Sequence, residues 1–298
     1  MSARLESYPA SRTTRKRASP AEMQERYAQL VAIVADIHPC IVRQVFYQAT
    51  VRHGFEKTEQ GYEKVQVALA KLRRDGTIPF SWIVDNTRNE SRPLTHESPG
   101  DAVAFASRNY RKDLWADADV YVQVWLEKDS LAGVVEPITD RYDVGLWTAR
   151  GYPSITFLQN AAEEIEAMDR PTYVFHLGDS DPSGENAAET IDKTLREFAP
   201  DSDIVFTRLA VLPEQIEEWR LPSRPTKQSD SRAKAFGDRP SVELDAIRPD
   251  MLRALIEAAI LDHMPRERFD ELMTEQANEK LLMTEWARKM SNGTRGSA

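Results

Sequence analysis

A chain of 298 residues, 41% of them hydrophobic, is long enough to bury a substantial core and to form two domains. Its single cysteine, Cys40, excludes an internal disulfide and a thiolate-rich metal site, so any metal must be bound by oxygen or histidine ligands. The formal net charge of -9 argues against a uniformly basic surface for nucleic acid, but it averages over regions that differ in charge.

The N-terminal region contains a tail and the start of a helix. Residues 1–18 are rich in Ser, Arg and Thr and poor in apolar side chains, so we expect a disordered basic tail. No stretch here or later has the ~18 apolar residues of a membrane span, and a signal core is absent, which predicts a soluble, cytoplasmic protein. A helix then begins at Ser19, with Pro20 in its first turn and Glu22 at the capping-box position.

Two more helices and a β-prone segment follow. The second helix is expected over residues 41–52 and the third over residues 61–74, each ended by a glycine-bearing turn. Residues 77–85 are β-prone and follow a turn signal, which predicts a β-ribbon. Three helices and a β-ribbon are typical of a winged helix, so residues 19–115, with a linker at the end, are predicted to form a winged-helix DNA-binding domain.

The segment 41–92 is basic within an acidic chain, because it contains nine arginines and lysines against six acidic residues. A cationic face on the third helix would suit the phosphates of a double-stranded DNA groove, although the same residues could form an ordinary solvated face. The side chains of this face are Lys64, Lys71, Arg73 and Arg74.

Residues 116–298 differ from the first part of the chain, because strands and helices alternate. Strands are predicted at 119–126, 144–148, 172–177 and 204–209, and helices at 130–142, 155–168 and 183–198. This alternation predicts an α/β domain with a mostly parallel sheet covered by helices on both faces. The tail from Pro213 is predicted to be helical and charged, with a Pro- and Ser-rich interruption at 222–241.

The strongest chemical signal is the glycine-bearing segment 178–184, which places Asp179 and Asp181 directly after a predicted strand. An earlier strand ends in the same way, on Glu127. Because the carboxyl ends of parallel strands lie at one edge of a sheet, we expect Glu127, Asp179 and Asp181 to converge. Such a cluster suits Mg²⁺, a hard cation that prefers oxygen ligands. Two of the acids also have structural interpretations, Asp181 as a helix N-cap and Glu127 as a solvated strand end.

Arg43 and Tyr47 form a second candidate pair, four residues apart on one face of the second predicted helix. At ~100° per residue, Tyr47 falls roughly 150° from the centre of the apolar side of this helix. We therefore expect Tyr47 to point away from the core of its own domain. A tyrosine in this position serves either in packing against another surface or in chemistry.

The order of these motifs resembles that of the A subunit of topoisomerase VI and its meiotic double-strand-break relatives. Residues 43–47 are similar to the segment that contains the nucleophilic tyrosine of that family, and residues 126–128 and 179–184 are similar to the two acidic motifs of its Toprim domain. The resemblance covers about residues 25–210. It implies a winged helix followed by a Toprim domain, in which Tyr47 attacks a DNA phosphate beside Mg²⁺ held by the carboxylates.

The resemblance has further implications for residues and partners. Arg43 would favour the phenolate form of Tyr47 or bind the scissile phosphate, and Lys128 would contact a phosphate. The family usually works as a homodimer whose active sites are each shared between two protomers. A separate ATPase subunit, or a form that acts without ATP, and association with the nucleoid are implied in the same way.

Two alternative functions remain open from the sequence. In a Toprim nuclease, Glu127, Asp179 and Asp181 bind the metal, water attacks the phosphate and Tyr47 is structural. In a non-enzymatic DNA-binding module, the acids have a structural task. Transesterification differs from both alternatives because it leaves the cut DNA end covalently attached to the protein.

Overall fold

The computed structural model describes residues 19–84, 93–149, 151–226, 233–264 and 266–294. The tail predicted over residues 1–18 lies outside these ranges. Of the helices within them, none combines the length and the hydropathy that crossing a membrane requires.

Three helices open the described chain: α1 (Pro20–Ile37), α2 (Val42–His53) and α3 (Glu59–Arg74). The predicted capping box of α1 is confirmed, because Ser19 and Glu22 each accept a hydrogen bond from the backbone N–H of the other. Gly54 caps the C-terminal end of α2, and its φ of 66° lies in the left-handed region that glycine adopts readily. α3 begins two residues earlier than predicted, because Thr58 caps it.

The prediction of a β-ribbon after α3 is wrong for residues 77–84, the part of the predicted segment that the structure describes. Phe80–Trp82 form a 3₁₀ helix, and strand-like pairing is limited to a single bridge between Cys40 and Ile83. Ile78 and Ile83 are buried against the three helices, so the apolar side chains of this segment pack on helices instead of on a second strand. The described residues therefore form a three-helix unit, and a complete winged helix is not shown.

The predicted alternation of strands and helices is confirmed. After α4 (Pro99–Asn109), the elements are β1 (Tyr121–Leu126), α5 (Ala132–Arg141), β2 (Gly145–Thr148), α6 (Ile155–Met168), β3 (Thr172–Leu177), α7 (Pro182–Phe198) and β4 (Ile204–Ala210). The four strands form one parallel sheet in the order β2-β1-β3-β4. β1 and β3 are therefore neighbours, and Leu126 at the end of β1 lies opposite Leu177 at the end of β3.

Successive strand residues point to opposite sides of the sheet, so the apolar strands present two faces. Helices cover both of these faces. Trp125 and Val174 pack with side chains of α6 and α7 in one buried cluster. Val124 and Phe175 belong to a second buried cluster on the other face, which includes side chains of α5. The predicted α/β class and the two-sided covering of the sheet are thus confirmed.

The C-terminal part is helical, as predicted, and consists of α8 (Pro213–Glu218), α9 (Ala233–Phe236), α10 (Pro249–Leu261) and α11 (Arg266–Thr294). Between α9 and α10, Val242 pairs with Ser180 through two backbone hydrogen bonds of 2.8 and 2.9 Å. This pairing places the segment 241–246 beside the loop that follows β3.

The three-helix unit packs directly on the α/β part. Gln44 of α2 donates a hydrogen bond to the carbonyl oxygen of Ile247 at 3.5 Å, and Arg253 of α10 donates to the carbonyl oxygen of Pro39 at 3.1 Å. The domain boundary at residues 115/116 stays a prediction, but these contacts bring α2 to the sheet end where the predicted acids lie.

Candidate functional site

The three predicted acids lie at the carboxyl end of the parallel sheet, and a backbone N–H orients each of them. Glu127 Oε2 accepts from the Asp179 N–H at 2.8 Å, and Asp179 Oδ1 accepts from the Leu244 N–H at 2.8 Å. Asp181 Oδ1 accepts from the Gly184 N–H at 2.8 Å. Asp181 is therefore the N-cap of α7, as one of its two interpretations predicted. The second oxygen of each carboxylate is thus a candidate cation ligand.

Two glycines let the acidic loop approach Glu127 closely. A Cβ at Gly178 would lie 2.6 Å from Glu127 Oε2, and a Cβ at Gly184 would lie 2.4 Å from the Asp179 carbonyl oxygen. From the opposite side, Arg208 of β4 donates hydrogen bonds to the carbonyl oxygens of Gly178 and Asp179. Close packing against Glu127 and the loop backbone, and not a left-handed turn, therefore explains the glycines of this motif.

We expect Gly184→Ala to lower the free energy of unfolding by about 1–3 kcal/mol, because the Asp179 backbone must shift to admit the methyl group. Chemical denaturation would measure the change, with Gly145→Ala as the matched control. A Cβ at Gly145 would meet no atom nearer than 3.5 Å. Equal stability of the two variants would contradict the packing role of Gly184.

Lys128 lies at the centre of a second set of carboxylates. Its Nζ is close to Asp245 Oδ2 (2.9 Å), Asp179 Oδ1 (3.0 Å) and Glu243 Oε2 (3.6 Å). Burial acts to lower the pKa of Lys128, but attraction to these carboxylates raises it above its ordinary value. The ammonium group therefore stays protonated and neutralises part of the acidic cluster.

Glu127 is less well neutralised than the carboxylates around Lys128. Burial and repulsion from Asp179 raise the pKa of Glu127 to about 7, although Lys128 and the backbone hydrogen bond partly oppose them. Burial also raises the pKa of Asp179. Positive charge therefore compensates the Glu127 side of the cluster only in part.

The donor set of this site suits Mg²⁺, because carboxylate oxygens are its preferred protein ligands and the charge of Glu127 is compensated only in part. Within the described ranges, however, no three acidic, histidine or cysteine side chains are arranged around a common metal position. Binding Mg²⁺ would thus require the second oxygens of Glu127, Asp179 and Asp181 to turn toward one point.

Tyr47 points away from the core of the three-helix unit, as the helical wheel predicts. Its side chain is 6% exposed and belongs to the buried cluster of the α/β part, whereas Val45 and Phe46 belong to the cluster of the three helices. The same buried cluster contains Val242 and Leu244, which flank Glu243, and Glu243 also lies beside Lys128. The structure thereby brings the predicted tyrosine and the acidic cluster together within one chain.

Arg43 does not by itself activate Tyr47. Burial and Glu243 raise the pKa of Tyr47 well above its ordinary value, and Arg43 only partly opposes this rise. The Arg43 guanidinium instead binds Glu243 Oε2 at 3.1 Å and lies 5.1 Å from the ring centroid of Tyr62. Tyr47 is thus a neutral phenol. Arg43 lowers the pKa of Tyr47, as expected, but burial and Glu243 raise it by more.

Glu243 and Asp245 were not predicted from the sequence. Both follow the Pro- and Ser-rich stretch, and their position depends on the pairing of Val242 with Ser180. A signal was present, since acidic residues alternate with apolar ones over residues 242–245 at the same one-residue spacing as in the acidic loop. Nothing local, however, indicated that this segment returns to the sheet.

Arg224, likewise not predicted, links the two acidic segments. Its guanidinium lies 3.4 Å from Glu243 Oε1 and 3.8 Å from Asp181 Oδ2. Its side chain is 41% exposed, so it lies at the outer edge of the cluster.

The four predicted DNA-binding cations of α3 lie on a helix that packs against α1 and α2. Lys64, Lys71 and Arg74 are exposed, and Arg73 is half-buried. Lys71 Nζ lies 4.9 Å from the ring centroid of Tyr27, so part of this face combines cations with an aromatic ring. Of the predicted DNA contacts, Lys128 is the one that the structure joins to the acidic cluster.

The fold and the site define a class: an α/β protein whose parallel sheet presents an acidic cluster to a tyrosine of a helical unit. No protein-family model matches the chain, and no curated protein matches it. The function is therefore inferred from the site.

Proposed function

We propose that this protein cleaves double-stranded DNA in an Mg²⁺-dependent transesterification, with Tyr47 as the nucleophile. The observation that carries the proposal is that Arg43, one turn before Tyr47 on α2, and Lys128 at the end of β1 both contact one carboxylate, Glu243. A helix from the N-terminal unit and the carboxyl end of the sheet thereby contribute to one site. The resemblance to the topoisomerase VI A subunit and its relatives supports the same pairing of a tyrosine with Toprim acids.

In the proposed reaction, the Tyr47 oxygen attacks phosphorus and forms a tyrosyl-DNA ester, while the bond to the 3′ oxygen breaks. The ester conserves the energy of the broken bond for religation. Arg43 and Lys128 bind phosphate oxygens by charge-assisted hydrogen bonds and orient the phosphate for attack. When bound by Glu127, Asp179 and Asp181, Mg²⁺ would neutralise charge that develops on the phosphate and the leaving oxygen.

Binding of the duplex is assigned to the basic face of α3, with Lys64, Lys71, Arg73 and Arg74. In this proposal, the three-helix unit corresponds to the winged helix and the α/β part to the Toprim domain. A homodimer, a separate ATPase subunit and association with the nucleoid belong to the same proposal and rest on the resemblance alone.

A second candidate function is a metal-dependent nuclease in which water attacks the phosphate. The observation that favours it is the burial of Tyr47, which is 6% exposed and has a pKa raised by that burial. In this case the tyrosine serves to pack α2 on the sheet, and the carboxylates bind the metal.

The test is incubation of purified protein with supercoiled plasmid and Mg²⁺, stopped with detergent and analysed with and without protease. We expect wild-type protein to give DNA ends that carry protein and Tyr47→Phe to give none. Tyr142→Phe is the matched control, because it removes the hydroxyl of another buried tyrosine, which binds Glu257, and this variant should keep wild-type activity. Protein-free ends made equally by wild type and Tyr47→Phe would support the nuclease instead.

Asp179→Asn and Glu127→Gln extend this test to the acids. Both variants should lose cleavage and retain DNA binding, since the basic face of α3 is unchanged. Full cleavage by either variant, or no cleavage by wild-type protein that binds the plasmid, would contradict the proposal.

A further inference from the structure

We propose that Lys57 binds a phosphate of the DNA backbone beside Tyr47, an inference that rests on the proposed function. Lys57 lies in the loop between α2 and α3, and its side chain is exposed. Its Nζ lies 5.3 Å from the centroid of the Tyr47 ring. Tyr47 itself is buried, at 6% exposure. Lys57 is therefore a cation at the protein surface next to the proposed nucleophile.

The hydrogen-bond acceptors described for the Lys57 ammonium are neutral. Its Nζ donates hydrogen bonds of 3.2 Å to the carbonyl oxygens of Pro222 and Ser223. Arg43 and Lys128, by contrast, each contact a carboxylate. A phosphate oxygen carries negative charge and a carbonyl oxygen does not, so the phosphate is the better acceptor for an ammonium group. Lys57 can therefore exchange its carbonyl partners for a phosphate at little cost.

The surroundings of Lys57 stabilise its charge only in part. Partial burial lowers the pKa of Lys57 below its ordinary value. A bound phosphate would bring negative charge to this ammonium and oppose that effect. Lys57 also precedes Thr58, the N-cap of α3, and the N-terminal end of a helix favours an anion. Both features favour a phosphate at this position.

The segment 222–224, which Lys57 contacts, also reaches the acidic cluster. The guanidinium of Arg224 lies 3.8 Å from Asp181 Oδ2. The backbone of Arg224 exchanges two hydrogen bonds of 2.9 Å with that of Ser241. One short segment thus links the proposed phosphate contact to a proposed ligand of Mg²⁺.

Transfer of Lys57 from the carbonyl groups to a phosphate has a consequence for Tyr47. Because Tyr47 is 6% exposed, DNA can reach its hydroxyl only after a covering group moves. The transfer removes two hydrogen bonds that join the loop between α2 and α3 to residues 222 and 223. DNA binding should therefore loosen the segment 221–226 beside the proposed nucleophile.

The first test measures the affinity of the protein for labelled duplex DNA between about 50 and 200 mM salt. EDTA is present, so that the proposed Mg²⁺-dependent cleavage does not occur. Each phosphate contact by a lysine contributes about 0.9 to the slope of log affinity against log salt concentration. Lys57→Met keeps the length of the side chain and removes its charge, so the slope should become shallower by about 0.9. Lys57→Arg retains the charge and should keep the wild-type slope.

Arg141→Met is the matched control, because Arg141 is also a cation beside the ring of a buried tyrosine. Its Cζ lies 5.3 Å from the ring centroid of Tyr142, and its side chain is 62% exposed. This variant should keep the wild-type slope. Equal slopes for wild type and Lys57→Met would overturn the phosphate contact. A slope for Lys57→Arg as shallow as that of Lys57→Met would overturn it too, because the charge would then not be the property that matters.

Hydrogen exchange of the wild-type protein gives a second readout that needs no variant. The N–H groups of Arg224 and Ser241 are protected by their mutual pairing. Saturating duplex DNA in EDTA should speed exchange over residues 221–226. Unchanged or slower exchange would overturn the transfer of Lys57 from the carbonyl groups to a phosphate.

The outcomes separate this inference from the proposed function, since both readouts are taken without cleavage. A shallower slope for Lys57→Met, with no protein-linked DNA from wild type in Mg²⁺, would support the phosphate contact and overturn Tyr47 transesterification. Equal slopes, with protein-linked DNA from wild type, would overturn the contact and leave transesterification intact. A wild-type protein that does not bind DNA would overturn both.

Discussion

Replacing Lys128 with methionine is expected to lower the free energy of unfolding by about 3–5 kcal/mol at pH 7, because it leaves buried carboxylates without their cation. Methionine preserves most of the length and packing of the lysine stem and removes only the charge. The Lys128 ammonium lies 2.9 Å from Asp245 and 3.0 Å from Asp179, and Asp245 is only 2% exposed. Repulsion between these carboxylates would then be uncompensated.

The loss of stability in Lys128→Met should become smaller as pH falls. Without the lysine, the carboxyl groups of the folded variant have pKa values above those of the unfolded chain. Such groups bind more protons in the folded state, so their contribution to stability grows as pH falls toward the unfolded pKa of about 4. In the wild type, the raised pKa of Lys128 means that its own contribution persists across neutral pH and is lost only in strong alkali.

Urea denaturation at pH 7 and pH 5 would measure both effects. Lys112→Met is the matched control, because Lys112 also contacts two carboxylates, Glu279 at 2.8 Å and Glu275 at 3.0 Å, but these carboxylates are 39% and 47% exposed. Exposed ion pairs add little to stability, so this variant should unfold almost as the wild type does. A Lys128→Met protein as stable as Lys112→Met would show that the cluster does not need the lysine charge.

Glu127→Gln should have the opposite effect and stabilise the protein in EDTA above pH 8, by on the order of 3 kcal/mol. The folded pKa of Glu127 is about 7, above its ordinary value of 4.5. A group with a raised folded pKa contributes stability that is present below the unfolded pKa and is lost as pH rises through the folded pKa. Glutamine retains an oxygen for the Asp179 N–H and avoids the cost of ionisation.

The two proteins should therefore converge in stability below about pH 4.5 and diverge most above pH 8. Urea denaturation over this range would measure the difference, with Glu189→Gln, at an exposed position of α7, as the control. Mg²⁺ should raise the melting temperature of the wild type more than that of Glu127→Gln, because binding to the folded state stabilises it. A Glu127→Gln protein less stable than the wild type at pH 9 would contradict this account.

A carboxylate that destabilises the folded protein at neutral and alkaline pH is typical of a functional site. Glu127 is held against the acidic loop by Gly178 and by its hydrogen bond to Asp179. Bound Mg²⁺ would offset the cost of ionising Glu127 in the folded protein. The stability of the metal-free protein and the proposed activity thus depend on the same carboxylate.

Local signals in the sequence were sufficient for most elements of secondary structure. The helix predicted over residues 155–168 and the strand over residues 172–177 match α6 and β3, because an N-cap, Ser154, and a clear apolar pattern define them. The position of Tyr47 also followed from a local property, the angle between successive helical residues. By contrast, the apolar pattern of residues 77–84 fits packing on helices as well as pairing in a ribbon, and the local pattern did not distinguish them.

The sequence by itself determined the parallel α/β sheet, the placement of Glu127 and Asp179 at its carboxyl end, and the outward face of Tyr47, since each depends on short-range periodicity. Only the tertiary structure decided that Glu243 lies between Arg43 and Lys128. That arrangement depends on pairing between Val242 and Ser180 and on the docking of α2 against the sheet. Contacts between residues so far apart in the chain leave no periodic pattern, because they arise from the packing of whole elements.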